Sequence, residues 1–286
     1  SDQIGETAQI AFKLGSKVVS HDWYQSLDPN EIIITLRTPL GKNAVRIEDV
    51  KDRWKLDAVV LDAGHGGKDP GAMSKYGVKE KDVVLDITKR VGRLLESNTN
   101  IKVVYTREED VFIPLKRRAE IGNENNGKVF ISIHANANNN RNIKGFETYL
   151  LSPGKSEDAV SVASRENSVI QLEELKNDYE KLSGEGLIMA TMAQSMFMKE
   201  SEDLAAIIQM ELDKQLTTPN RGVKQAGFYV LVGASMPSVL IEVGFLSNAM
   251  EEKSLKRANH RQKIAQGIYE AIKSFKESKE KLLAEE

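Results

Sequence analysis

Ala58-Val59-Val60-Leu61-Asp62-Ala63-Gly64-His65 is a short, mostly apolar run that stops at a glycine and a histidine. A run of that length, closed by a turn signal, reads as a strand buried on both faces, the usual appearance of a parallel-sheet strand in sequence. Two other runs repeat the arrangement. Val129-Phe130-Ile131-Ser132-Ile133-His134 ends in a second histidine, and Pro237-Ser238-Val239-Leu240-Ile241-Glu242 ends in a glutamate. Open α/β sheets build their sites in the crevice beyond the carboxyl ends of their strands. The three polar side chains are therefore expected to converge at one edge of one sheet.

The segments around these runs alternate between strand and helix. A glycine-rich loop from Gly64 to Gly77 precedes Val83, Val84, Ile87, Val91, Leu94 and Leu95, which recur at helical spacing. Ile101-Lys102-Val103-Val104-Tyr105-Thr106 reads as a strand, Leu115 to Ile121 as a helix, and Gly145-Phe146-Glu147-Thr148-Tyr149-Leu150-Leu151 as the strand after His134. Further strands are expected at Gly227–Val232 and Val239–Ile241. Helices are expected over 201–216 (Leu204, Ile207, Ile208, Leu212, Leu216) and around Ile264, Ile268, Ile272 and Phe275. The β-α-β-α-β order predicts an α/β fold, with a twisted, largely parallel central sheet flanked by helices on both faces.

Residues 55–276 form the expected main domain. Residues 1–54 carry one clear strand candidate, Glu31–Leu36, a turn-like Thr38–Lys42 and the aromatics Trp23 and Tyr24. So short a segment reads either as the remnant of an upstream domain or as an integral β-extension. Residues 152–200 break the rhythm and read as a helical insertion rich in Glu, Lys, Ser and Met. The stripe Met189, Met192, Met196, Met198 is expected to be helix packing. Residues 277–286 read as a charged, solvated C-terminal tail.

Composition narrows the function classes. Over 286 residues, 40% are hydrophobic, 29% are charged and the net charge is −2, so there is no electrostatic footprint for nucleic acid. No run approaches the roughly 18 apolar residues of a membrane span. The chain has no cysteine, so any zinc site must use His, Asp or Glu. It begins with Ser and has no basic-then-apolar leader, so compartment cannot be read from a signal peptide. A monomer is the default expectation.

Glu80 is the natural companion of the two histidines. It follows the glycine-rich loop at the start of a helix, where the loop can fold back beside His65 and the helix N-terminus favours its charge. His65, Glu80 and His134 make a His₂Glu set, the composition of catalytic zinc sites that keep a fourth position open. Zinc leads, and other divalent ions remain open. Glu242, costly if buried unpaired, is expected to serve as the catalytic acid–base. Such a set hydrolyses an amide or an ester. His21 and His260 lack this context and are assigned to the surface.

These residues resemble the zinc-dependent N-acetylmuramoyl-L-alanine amidases, the amidase-3 type of bacterial cell-wall hydrolase. The matching blocks are Leu61–Ala72, Lys79–Lys81, Tyr105–Arg107, Leu115–Arg118, Ser132–Asn136, Arg165–Asn167, Ala226–Leu231 and Met236–Asn248. They run in order over about residues 56–276. The resemblance implies cleavage of the amide between N-acetylmuramic acid and the L-alanine of the peptidoglycan stem peptide. It carries the metal ligands onto His65, Glu80 and His134 and the catalytic glutamate onto Glu242. Asn136 is expected either to touch substrate or to cap the following loop, and Arg107 and Arg118 to form buried ion pairs, with binding of acidic stem-peptide groups as the alternative.

Cell-division amidases of this type carry a helical insertion that covers the zinc cleft and sets a glutamate on the metal. The resemblance makes Glu166 that inhibitory contact, against the alternative of a plain surface helix. It implies a LytM-type activator protein that binds 152–200, for which the Met-rich stretch 187–198 is a candidate surface. It further implies a periplasmic or cell-envelope location and a role in daughter-cell separation. Two rival readings are a non-catalytic wall-binding module, disfavoured by an intact Glu242, and a zinc peptidase or deacetylase, disfavoured by the lack of a helical His-Glu-x-x-His.

Overall fold

The computed structural model describes residues 55–285, apart from 153–155, 174–178 and 180–184, together with four short N-terminal strands. The chain divides into two units, Ser1–Asp52 and Arg53–Glu286. In the first, β1 (Asp2–Ile4) pairs antiparallel with β2 (Thr7–Gln9), and β3 (Ser20–Gln25) with β4 (Ile32–Arg37). Trp23 is in register with Ile34 and Tyr24 with Ile33 across that second ladder. The turn expected at Thr38–Lys42 lies outside the described residues, as does the side chain of His21.

The second unit is built on a six-stranded sheet of order β6-β5-β7-β10-β8-β9. Its strands are β5 (Ala58–Ala63), β6 (Lys102–Tyr105), β7 (Val129–Asn136), β8 (Phe146–Leu151), β9 (Asn220–Ala226) and β10 (Ser238–Phe245). β6, β5, β7 and β10 run parallel; β8 is antiparallel to β10, and β9 is parallel to β8. The expected sheet is therefore borne out, with one reversed pair at an edge.

Among the described residues seven α-helices accompany the sheet: α1 (Glu80–Asn98), α2 (Leu115–Glu124), α3 (Glu157–Asn167), α4 (Glu185–Ala193), α5 (Met198–Gln215), α6 (Ala249–Leu255) and α7 (Ala258–Glu285). The period-2 alternation of the strands sorts the core. Val59, Leu61, Ile131, Ile133, Val239 and Ile241 pack against α1, α5 and α7, while Val60, Phe130 and Leu240 face the other side with α3. None of the described helices is long and apolar enough to cross a membrane.

One local expectation fails. Gly227–Val232 is not a strand: the edge strand is the polar Asn220–Ala226, and Tyr229–Leu231 form a 3₁₀ turn whose apolar residues fill the second core cluster. An edge strand with little to bury carries almost no periodic signal. The charged C-terminal segment is helical, α7 continuing to Glu285, with Glu277, Ser278, Glu280 and Lys281 exposed.

β10 places the site. It lies between β7 and the reversed β8, so Glu242 stands in register with His134 on one side and Glu147 on the other. The chain thus sets one row of polar side chains across three adjacent strands at the point where strand direction switches.

Candidate metal centre

His65 reaches the centre through a strained turn. Its φ is 58°, in the left-handed region that non-glycine residues adopt only at a cost of about 1–2 kcal/mol. The loop around it is packed to the atom. A Cβ on Gly64 would stand 2.5 Å from Cε1 of His134, and one on Gly71 (φ 65°) would stand 2.6 Å from both Glu80 Oε2 and His65 Cδ2. His65 Nδ1 lies 2.7 Å from Asp69 Oδ2, which orients the ring and turns Nε2 inward, the support a carboxylate commonly gives a metal-binding imidazole.

Glu80 is the first residue of α1 and is fully held. Its Oε1 accepts from the Ala135 N–H at 2.8 Å, and its Oε2 accepts from the Ala72 N–H at 2.8 Å. Burial opposes its ionisation, yet the adjacent His65 charge and the hydrogen bond with His134 outweigh that and hold the carboxyl at about 2.

Four donor atoms close the cage. His65 Nε2 stands 3.1 Å from Glu80 Oε1 and 3.1 Å from Glu166 Oε2, and His134 Nδ1 stands 3.1 Å from the same two oxygens. A tetrahedral ion with nitrogen and oxygen donors at 2.0–2.1 Å requires donors about 3.3 Å apart, so the spacing fits such an ion. His65 Nε2 and Glu166 Oε2 are buried and have no hydrogen-bond partner despite their proximity, which is what donors arranged around a shared centre look like. The electrostatics agree. Burial disfavours the charged ring of His134, but the adjacent carboxylates of Glu166 and Glu80 raise it to about 9, and the His65 ring is raised well above its ordinary value against the same penalty. The cage is built to hold positive charge.

Glu242 is 0% exposed and neither of its carboxylate oxygens has a partner. Burial, and then the negative charge of Glu166, push its carboxyl well above the usual range. Its neighbour Glu147 is fully occupied, accepting from Asn136 Nδ2 at 2.9 Å, Tyr149 Oη at 2.7 Å, Arg221 Nε at 2.9 Å and Lys224 Nζ. Asn136 does not join the cage, nor does it cap the following loop. It is buried between Glu147 and Arg165, whose Nη2 donates to its Oδ1 at 2.6 Å.

The insertion lies over this site. Val162 and Ala163 bury the face of α3 in the second core cluster, and Glu166, four and three residues on, shares that face. Arg165 and Asn167 fasten it on either side. Arg165 donates to the Ala137 carbonyl and to Asn136; Asn167 Nδ2 donates to the Gly227 carbonyl at 2.7 Å and its Oδ1 accepts from Tyr229 N–H at 3.0 Å. Further on, Glu173 Oε1 accepts from the Leu115 N–H at 2.8 Å at the start of α2. The space left between insertion and cage is a cavity of about 10 Å³, room for one water molecule. The methionines of α4 and the following turn depart from the packing expected of them: Met189 is 65% exposed and Met196 59%.

Sequence reasoning missed Asp69 as the support of His65; the only signal was its i+4 position within the matched block. It also treated Arg107 and Arg118 alike. Arg118 does pair with Asp62 at 2.9 Å, but Arg107 forms no ion pair among the described residues. Asp62 lies beneath the His65 turn, also accepting from Thr106 and Ser132. Burial opposes its ionisation, but Arg118 and the two hydroxyls prevail and lower its pKa. A folded pKa below the unfolded value of about 3.9 contributes stability that is present above that value and is lost as pH falls through the folded pKa. Asp62→Asn should therefore flatten the acid limb of the stability–pH curve. At neutral pH it should cost about 3–5 kcal/mol in denaturant unfolding, because Arg118 is left buried without a counter-ion.

A mixed, mostly parallel sheet with a buried imidazole–carboxylate cage at its carboxyl edge is the arrangement of an α/β protein with a candidate metal centre. Residues 59–274 match the amidase-3 family, described as N-acetylmuramoyl-L-alanine amidase, and the chain belongs to that family. It is 37% identical over 221 residues to AmiC of Escherichia coli O6:H1, covering 76% of this chain and 52% of that protein; it thus spans about half the length of this relative. It is 37% identical over 220 residues to AmiA of Escherichia coli K12, covering 76% of this chain and 75% of AmiA. Among solved structures, an N-acetylmuramoyl-L-alanine amidase from Clostridium difficile 630 superposes with a TM-score of 0.60 at 28% identity, over 78% of this chain and 98% of that one. The CwlD amidase of Clostridioides difficile, solved in complex with the GerS lipoprotein, superposes with a TM-score of 0.57 at 31% identity, over 77% and 98% of the two chains.

Proposed function

We propose that this chain is a zinc-dependent hydrolase of the amide between N-acetylmuramic acid and the L-alanine of peptidoglycan stem peptides, held closed at rest by its own insertion. The observation that carries the reading is the cage: four buried donor atoms at 3.1 Å spacing, with an unpartnered glutamate in the adjoining strand. Family membership supplies the substrate class, and the cage supplies the chemistry.

His65, Glu80 and His134 would hold the ion, with Glu166 as fourth donor. Bound there, zinc supplies Lewis acidity toward a carbonyl oxygen and toward water. Withdrawal of Glu166 removes the negative charge that, after burial, holds the Glu242 carboxyl neutral, and the resulting carboxylate has free lone pairs for proton transfer. It takes a proton from the attacking water and returns it to the leaving amine nitrogen.

Glu166 occupies the position the reactants need, so α3 must withdraw before turnover. The bonds that resist are those of Arg165 and Asn167, worth about 1–3 kcal/mol each, a cost that a partner binding the insertion can offset. A LytM-type activator is the partner this reading favours. Exposed Met189, Met192 and Met196 offer it adaptable apolar contacts. CwlD is itself described with a protein partner, the GerS lipoprotein. The site of action is the periplasm or cell envelope, during separation of daughter cells.

Purified sacculi incubated with zinc and the Glu166→Ala protein, with products read by mass spectrometry, test the reading. Free stem peptides with an L-alanine amino terminus are the expected products; sacculi left intact by that variant reject it. His65→Ala should lose bound zinc, quantified by atomic absorption, and undiminished metal content would reject the ligand assignment on its own.

A further inference from the structure

Arg107 is a buried cation to which nothing above assigns a task. It lies two residues beyond β6, is 3% exposed, and has no carboxylate in salt-bridge range among the described residues. Its donors go to main-chain carbonyls instead. Nε donates to Ala63 O at 2.9 Å, Nη2 to Gly64 O at 2.8 Å and to Lys81 O at 3.0 Å, and Nη1 to Glu109 O at 3.0 Å. Ala63 and Gly64 are the two residues before His65, and Lys81 is the residue after Glu80.

One planar fork therefore ties the backbone that carries one cage residue to the backbone that carries another. Arg118 works on the same turn, donating to Ala63 O and His65 O at 2.8 Å, but it has Asp62 as a counter-ion and does not reach α1. Of these two arginines it is Arg107 that spans the gap, beside the Lys81 Nζ bond to the Gly67 carbonyl at 2.8 Å. The turn it holds includes His65 at φ 58°, a conformation that needs outside support. A guanidinium buried without a counter-ion is expensive, and a planar arrangement of donors that a lysine cannot reproduce is what the position uses.

We propose that Arg107 is a positioning residue of the metal centre, fixing the separation of His65 from Glu80 by clamping the Ala63 and Gly64 carbonyls to that of Lys81. This rests on the reading that His65 and Glu80 hold zinc. It sets Arg107 behind the cage, away from substrate.

The test uses the full chain, with Zn²⁺ itself as the probe. Zinc affinity of the wild type, Arg107→Lys and Arg107→Gln is measured by competition with a chromophoric chelator, and melting temperatures are recorded with and without zinc. Loss of a residue that supports a ligand from behind costs about 10–100-fold in metal affinity. Both variants should show that loss, and the zinc-induced rise in melting temperature should shrink accordingly. An arginine that merely stabilises the fold would lower the zinc-free and zinc-loaded melting temperatures together and leave the affinity unchanged, which overturns the proposal. A raised KM with unchanged zinc affinity overturns it in favour of substrate contact, and failure of both variants to fold overturns it in favour of a structural role. A wild type that binds no zinc rejects the metal reading itself, and that is seen before any variant is made.

Discussion

Replacing Glu166 by alanine should raise the basal rate of peptidoglycan hydrolysis by about 10- to 1,000-fold. The range follows from the equilibrium it perturbs, since the minor conformer of a protein with two such states is commonly populated at about 0.1–10%. Glu166 Oε2 stands 3.1 Å from both cage nitrogens, and only about 10 Å³ remains beside it. A conformer with Glu166 in that position cannot also hold an amide and a water. Alanine removes the donor and with it the ion pair from Arg165 Nε to Glu166 Oε1 at 3.2 Å, so α3 is held less firmly over the cage and the open conformer gains population. Release of soluble stem peptide from sacculi, without any partner present, measures it. An unchanged or lower rate rejects autoinhibition while leaving the amidase reading standing. Asn167→Ala, which breaks the bonds to Gly227 and Tyr229, should activate in the same direction by a smaller factor.

The features legible in the sequence were those with a strong local signature. β5, β7 and β10 are buried on both faces and read as unbroken apolar runs, and the polar residues they deliver stand out against that background. Glu80 was legible because a glycine-rich loop and a helix start place it without reference to tertiary structure. β9 was not legible, since an edge strand composed of Asn220, Arg221, Lys224 and Gln225 has little apolar periodicity. Arg107 and Arg118 could not be told apart, because both are arginines in short matched blocks. What separates them is that Asp62 pairs with Arg118 while Arg107 donates to three carbonyls around the cage, a matter of long-range geometry. Glu166 entered through resemblance alone. Its helix carries a good capping serine, Ser156, and an apolar face, which predict a packed helix and nothing about the cage.

Glu242→Gln separates proton transfer from metal binding. The substitution preserves the shape of the side chain and removes its ability to accept a proton. Because the carboxyl of Glu242 is held toward its neutral form in the closed state, the neutral amide fits the same buried place at little cost to stability. General acid–base groups contribute about 10²–10⁴-fold, and kcat should fall by that factor with zinc content and KM preserved. Glu242 serves both the attacking water and the leaving amine, so the upper end of that range is expected. The double variant Glu166→Ala/Glu242→Gln sharpens the test. If Glu166 acts only by occupying the cage, the two effects multiply, and the double variant should be about 10²–10⁴-fold slower than Glu166→Ala. A double variant within tenfold of Glu166→Ala would remove Glu242 from the chemistry. Loss of zinc in Glu242→Gln would instead make it a support of the metal, and the row His134, Glu242, Glu147 would then have to be read as a scaffold for the cage.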